Sequence, residues 1–313
     1  MATSLTKKGL VAASDKVIIA AKPALEAIRL FATDFSVDNA KKFDVITTKV
    51  LSATAADFAK GSQNFAKGTN AIKYADIRLT EHKISSYQLD DLDVLEDELA
   101  PVWDRFAPTS GAAIAHAVVA KLMGLFSYDG AQAQKTLSGS GLAKFANIRA
   151  LVLSEDLNPA DCVLLLEPVT YAELLTALPA SVIGNGGVIS TAAIGAFLGF
   201  KAVVEAPNVT KVSGAASGGS APEKGVGFVV PSGAVGIAGR YYAPIMGVGG
   251  DLLDAGSTTD DDTGLVFGTR VVQNADDGEV TWSVNALFGC ALMKQTISGT
   301  ANGAPGYLQL VTA

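Results

Sequence analysis

The stretch from Tyr87 to Phe126, YQLDDLDVLEDELAPVWDRFAPTSGAAIAHAVVAKLMGLF, constrains what this chain can fold into more than any other. Leu92, Leu95, Leu99, Val102 and Phe106 recur at spacings of three and four, the stripe of an amphipathic helix that must bury one face. Ile114, Val118, Leu122 and Leu125 continue the spacing in a second segment, which Thr109 or Ser110 can cap at its amino end. Pro101 and Pro108 interrupt the pattern. Each lacks a helical N–H and crowds the preceding turn, which predicts one kinked rod or two helices laid nearly end to end. The sequence before the rod is sparse and extended, and the sequence after it is compact and glycine-rich. The rod reads as a spine between two kinds of structure.

A chain of 313 residues has room for about two domains and an ample core. With 49% hydrophobic and 18% charged residues and a mean hydropathy of +0.32, it carries an apolar surplus. A partner surface, self-association or a membrane would absorb such a surplus. The longest run without a charge, Leu174 to Phe200, contains Pro179 and the turn-forming Gly184-Asn185-Gly186-Gly187, so it reads as two short elements rather than a membrane span. Asp15 and Lys16 cut the apolar region after Lys7-Lys8 too short for a secretory leader. Cys162 and Cys290 sit in apolar surroundings and read as buried free thiols. The net charge of −7 argues against a dedicated nucleic-acid binder with a dense basic face. Within it, the segment through Lys42 carries an excess of basic residues, so that end faces either a polyanion or an acidic neighbour.

Ser4 to Phe35 is helical in pattern but split by Pro23, and such a short terminal helix is expected to pack on something other than its own chain. FDVITTKVL (Phe43 to Leu51) and IKYADIRL (Ile72 to Leu79) alternate as strands and form a long hairpin around a small, polar tip. An isolated hairpin is barely stable in water and needs a surface to lie on. Beyond the spine, Ala131 to Ala150 reads as helix and loop, Leu151 to Leu153 as a short buried strand, and Asn158-Pro159 as a turn. Pro168 to Leu178 is a helix with Thr170 as a possible cap, Val188 to Leu198 a second helix, and Gly199 a stop before the strand ending at Val204. Ser213 to Ser220 is a flexible loop. Strands are expected at Gly227 to Val230, Gly233 to Ala238, Gly264 to Gln273, Val280 to Leu287 and Leu308 to Val311. Helices and strands are segregated, so the class is α+β.

Chemistry has little to draw on. His82 and His116 are the chain's two histidines; His116, among alanines and valine, reads as structural, and His82 as lying on a solvated face. No Cys or His cluster has metal-ligand spacing. Asp262-Thr263-Gly264 matches the aspartic-protease triplet, but Asp260 and Asp261 precede it where an apolar strand belongs. Asp251 to Asp262 lacks the ligand alternation, central glycine and closing glutamate of a calcium loop and reads as a solvated loop. The 184–187 turn lacks the lysine and serine or threonine of a phosphate cradle, and Ser138-Gly139-Ser140-Gly141 is no nucleophile elbow. No catalytic, cofactor-binding or metal-binding residue is assigned, and no cofactor is expected.

The order of parts, and above all LLLEPVTYAELLTALPASVIGNGGVISTAAIGAFLGFKAVVEAPN (Leu164 to Asn208), resembles the major capsid protein of tailed double-stranded DNA bacteriophages, the Hong Kong 97-type fold. That stretch looks like the family's apical passage of helix, glycine loop, helix and Gly-Phe-x-Val-Val strand. YQLDDLDVLEDELAPVWDRFA is similar to the acidic lead-in to the spine, and FGTRVVQNADDGEVTWSVNALFGCALM to the strands that return to the peripheral domain and finish in the apical one. The resemblance covers nearly the whole chain, with Pro101 and Pro108 as departures from a continuous spine.

The resemblance implies an N-terminal arm at 1–42, an extended β-hairpin loop at 43–88, a peripheral domain with the spine helix at 89–128 and 263–280, and an apical domain at 129–262 and 281–313. It implies a non-enzymatic structural protein that self-assembles into pentamers and hexamers of an icosahedral shell around double-stranded DNA, contacted without sequence preference. Expected partners are other copies of itself, scaffolding and portal proteins and a decoration protein, with no membrane. The implied location is the virion, after assembly in the host bacterial cytoplasm. Some relatives crosslink a lysine of the extended loop to a neighbour; Lys60 and Lys67 lie in that loop, and no crosslink is assigned to them. The alternatives are an encapsulin-like compartment holding a cargo enzyme and a soluble hydrolase using Asp262.

Overall fold

The computed structural model describes residues 7–36, 45–52, 71–89, 99–126, 133–138, 141–155, 157–178, 198–206, 213–214, 223–242, 251–273, 279–293 and 308–312. The hairpin tip with Lys60 and Lys67, Leu92 and Leu95, the 184–187 turn and nearly all of the helix expected over 188–198 lie outside the described residues, as does the 213–220 loop beyond its first two residues. Helix α1 (Lys7–Arg29) leads to strand β1 (Ala32–Asp34), the hairpin strands β2 (Val45–Ser52) and β3 (Ala71–Arg78), strand β4 (Glu81–Leu89) and the spine helix α2 (Leu99–Met123). There follow β5 (Ala133–Leu137), α3 (Gly141–Ser154), β6 (Cys162–Leu166), α4 (Pro168–Ala177), β7 (Ala202–Glu205), β8 (Ser213–Gly214) and β9 (Glu223–Pro231). The remaining strands are β10 (Val235–Arg240), β11 (Asp251–Thr259), β12 (Val266–Gln273), β13 (Val280–Leu292) and β14 (Leu308–Thr312).

The prolines break less than the sequence suggests. α1 runs unbroken through Pro23, whose missing N–H frees the carbonyl of Ile19; Ile19 is 68% exposed and Pro23 is exposed too, so water can take that carbonyl. The opposite face of α1 buries Val17, Ile18, Ala21, Leu25 and Ile28 against its own chain, which corrects the expectation of a helix seated elsewhere. In α2, Pro101 sits in the first turn, where N–H groups have no intrahelical partner, and Pro108 is carried inside one continuous helix. Thr109 and Ser110 do not cap a second helix. The Thr109 hydroxyl donates back to the Arg105 carbonyl at 3.0 Å, a bond that eases a helix past an irregularity.

Three further readings are corrected. Leu151 to Leu153 belong to α3, whose buried Phe145, Ile148 and Val152 keep helical spacing while Leu153 is exposed; a short apolar run does not by itself separate strand from helix. The residue capping α4 is Glu167, with Pro168 at the first position, and Thr170 lies buried inside the helix. Asp251 to Thr259 is a strand, paired with β12 along Thr259↔Val266 to Asp251↔Gln273 with a bulge at Leu252/Asp254. Its aspartates and its bulge lie on an edge, where charge and irregularity discourage stray pairing.

Among the described residues the strands form two larger sheets and the hairpin. The first runs β1-β10-β13-β12-β11, with β4 also on β13. Residues 280–286 of β13 pair with both β12 and β4, and residues 287–288 with both β10 and β4. Hence β12 and β10 share one edge of β13 end to end, and β4 holds the other. Trp282, Val284, Ala286 and Phe288 point from β13 into a core shared with α1 and α2. On the opposite face, Ile77 and Leu79 of the β3 end pack on Ala238, Leu287 and Met293. The second sheet runs β5-β14-β9-β6-β7, with β8 on β9. All five residues of β6 are buried because both faces are covered: Val163 and Leu165 join the core of the first sheet, and Leu164 and Leu166 meet α3 and α4. Phe126, at the end of the spine, touches both sides, with its ring centroid 6.0 Å from Phe31 and 5.5 Å from Phe228.

The domain boundaries expected at 262/263 and 280/281 cut through the first sheet: β10 and β12 both pair with β13, and β11 pairs with β12, so these strands share the first sheet rather than the second.

Candidate functional site

The triplet Asp262-Thr263-Gly264 forms the turn between β11 and β12. Asp262 is exposed and pairs with Arg29 of α1 (3.3 Å), while Arg29 also reaches Glu26 (3.4 Å). An aspartic-protease dyad needs two carboxylates sharing a proton, and Asp262 instead faces a guanidinium. Asp260 is the buried member, 2% exposed, accepting a 2.5 Å hydrogen bond on Oδ2 from the Thr263 hydroxyl. A cavity of about 370 Å³ separates this turn from the carboxyl half of α1 and is lined by Lys22, Glu26, Arg29, Asp260, Asp262 and Thr263, among others. Among the described residues no group of three His, Cys, Asp or Glu side chains is placed to hold a metal.

The histidines are placed differently from their sequence readings. His116 is exposed on α2 rather than structural, and His82 is half-buried in β4, its ring 4.9 Å from Tyr242. β4 had no sequence signal of its own, being polar and continuous with the hairpin, yet it clamps the spine. Glu81 meets Lys121 at 2.7 Å, the Ser85 hydroxyl donates to Ser110 Oγ at 3.0 Å, and Tyr87 stacks on Phe106 with centroids 3.8 Å apart. Six residues of strand span about 20 Å and fifteen residues of helix about 22 Å, so β4 and α2 run antiparallel at matched pitch. Burial pushes the Cys162 thiol up to about 12 and the Cys290 thiol up to about 11, which leaves both protonated and unreactive near neutral pH.

The clamp gives a pH signature. The Lys121 hydrogen bond, aided by charge and by Lys83, holds Glu81 below the ordinary 4.5, and Glu81 in turn raises Lys121 above 10.5. The folded chain therefore binds the Glu81 proton less tightly than the unfolded chain. The stability this adds is complete above the ordinary value and is lost as pH falls through the lowered one. The Lys121 share is complete below its ordinary value and is lost as pH rises through the raised one. Glu81→Gln is expected to flatten the fall in Tm between about pH 5 and pH 3. Scanning calorimetry at stepped pH checks this, and parallel profiles for the two proteins would count against it.

Exposed apolar side chains lie on several surfaces: Ile19 on α1, Val45 on β2, Ile84 on β4, Leu153 on α3 and Val169 on α4. The Arg105–Met123 part of α2 is long and apolar enough to cross a bilayer, but Ile114, Ala115, Val118 and Leu122 bury it as a core helix. No protein-family model and no curated protein matches this chain. Solved structures do. The capsid of Ralstonia phage GP4 aligns at a TM-score of 0.53 and 11% identity, over 90% of this chain and 86% of that one. The capsid of the cyanophage P-SCSP1u aligns at 0.50 and 12%, over 91% and 86%. A virus-like particle from Pyrococcus furiosus aligns at 0.50 and 9%, over 96% and 97%. The two-sheet α+β architecture with its spine helix and hairpin is thus shared with the proteins of these particles. Within that class it is the Hong Kong 97-like capsid fold, the fold of the major capsid proteins of tailed phages.

Proposed function

We propose that this chain is the major capsid protein of a tailed bacteriophage, a structural subunit whose pentamers and hexamers close an icosahedral shell around double-stranded DNA. The observation that carries the reading is the capsid fold, matched over nine-tenths of the chain to a phage shell protein. The apolar surplus and the exposed apolar side chains on several elements support it, because copies repeated around rings bury such surfaces and close when the geometry allows. The hairpin β2–β3, a two-stranded sheet rooted on β13, is the element that reaches a neighbouring copy. The spine and the first sheet serve as the peripheral domain, and the second sheet with α3 and α4 as the apical domain. α1, seated on α2, acts as part of the peripheral body. DNA is met weakly and without sequence preference, in keeping with a net charge of −7. Scaffolding, portal and decoration proteins are the expected partners, the host cytoplasm is the place of assembly, and the subunit does no chemistry.

Negative-stain electron microscopy of the purified protein, with and without a scaffolding partner, tests this. Closed isometric shells or tubes are expected. A monodisperse monomer under every assembly condition would overturn the reading, and a cargo enzyme copurifying with empty shells would replace the genome by a protein cargo. The Asp262 hydrolase has no support in the geometry, since that carboxylate is bound to Arg29.

A further inference from the structure

The turn Gly199-Phe200-Lys201 enters β7 at a corner where the end of α1, the start of β6 and the β9–β10 turn meet. The backbone of this turn is fixed to the second sheet. Gly199 has φ +75°, and an added Cβ there would stand 2.6 Å from Arg149 Nη1 of α3. Phe200 is buried in one cluster with Phe145, Ile148 and Leu174, and the Lys201 N–H donates to the Cys162 carbonyl at 3.0 Å. The Lys201 side chain then leaves that sheet. Its Nζ donates to the Leu30 carbonyl at 2.8 Å and to Ser232 Oγ at 3.0 Å. Leu30 follows the last residue of α1, at the end where a helix carries partial negative charge, so an ammonium suits the position better than a neutral donor. Beside it, the Ser232 N–H donates to the Asp161 carbonyl at 2.8 Å and the Gly233 N–H to the Phe31 carbonyl at 3.0 Å, so the β9–β10 turn links the same elements. On its other side the end of α1 is tied to the first sheet, by Arg29 on Asp262 at 3.3 Å.

We propose that Lys201 is a positioning residue, a cationic latch that holds the second sheet on the carboxyl end of α1 and can open without unfolding either sheet. The charge does the latching and the stem only delivers it. Lys201 is exposed, and neither Leu30 nor Ser232 is fully buried, so an open latch hands both acceptors to water and costs little. The buried side chains on either side, Phe31 in the first core and Phe200 in the second, stay packed while it opens. The inference concerns the subunit itself and stands apart from the shell reading.

Hydrogen exchange read by mass spectrometry on the full chain tests this, with all proteins compared in the same assembly state. Lys201→Met keeps the length of the side chain and removes its charge, and Lys201→Arg keeps the charge. In Lys201→Met the peptides carrying the Phe31 and Gly233 amides are expected to exchange at least about fivefold faster, while those of β6 and β13 keep the wild-type rate. Lys201→Arg is expected to bring the Phe31 and Gly233 peptides back to within about twofold of wild type. Wild-type exchange at both peptides in Lys201→Met overturns the proposal. So does faster exchange throughout β6 and β13, or a Lys201→Met protein that does not fold, since Lys201 would then support the fold as a whole. If Lys201→Arg exchanges as fast as Lys201→Met, the charge is not what holds the corner, and the latch is overturned on that ground.

Discussion

Gly289→Ala is expected to raise the protein concentration needed for shell formation at least tenfold while the subunit stays folded. Gly289 lies on β13 beneath the end of β3, and a Cβ there would stand 2.8 Å from the Arg78 carbonyl carbon and closer still to its oxygen. Backbone cannot yield as a side-chain tip can, so the root of the hairpin must lift by about 1 Å to restore ordinary contact. Ile77 and Leu79 then lose their fit on Leu287 and Met293. Strands of eight residues reach about 27 Å from that root, so a small tilt at the base becomes a displacement of several ångström at the far end. The main core under β13 is on the other face of the sheet, which limits the loss of stability to about 1–3 kcal/mol. Light scattering against concentration reads the assembly, and near-ultraviolet circular dichroism reads the fold. Shells forming at the wild-type concentration would show that the hairpin's orientation is not what joins the copies.

Gly111→Val is expected to cost about 3 kcal/mol and to lower Tm by roughly 5–10 °C. α1 crosses α2 at this residue so closely that an added Cβ would stand 3.0 Å from Val17 Cα and nearer to its carbonyl oxygen. Valine forces the helix backbones apart and opens gaps around Val17, Ala21, Ile114 and Val118, all of them buried now. Differential scanning calorimetry measures the shift, and limited proteolysis should cut α1 sooner. An unchanged Tm would mean that α1 is not seated on the spine in solution.

These two glycines mark where sequence reading stops. The stripe from Ile114 to Leu122 announces a buried helix, but nothing in it names α1 as the occupant, because Gly111 signals a close approach without saying of what. Pro23 was the stronger sequence signal and misled, since a proline's cost depends on whether the freed carbonyl meets water, which is a property of the packed face. β12 and β13 were legible from their β-branched and aromatic runs. β4 and β11 were not: EHKISSYQL and DLLDAGSTT are edge strands whose polar residues match those of loops, and pairing with β13 and β12 makes them strands. Asp262 stood out by its triplet, yet the buried carboxylate of that turn is Asp260, a difference with no counterpart in local sequence.

The aromatic ring of Phe126 belongs to the packing of both sheets at once, against Phe31 on one side and Phe228 on the other. In a molecule joined in this way, load applied to one sheet is delivered to the other through well-packed hydrocarbon. A container built from such pieces would behave as rigid tiles with compliant seams. Swelling or compression of the wall would be taken up between neighbouring copies, and the tile itself would yield last.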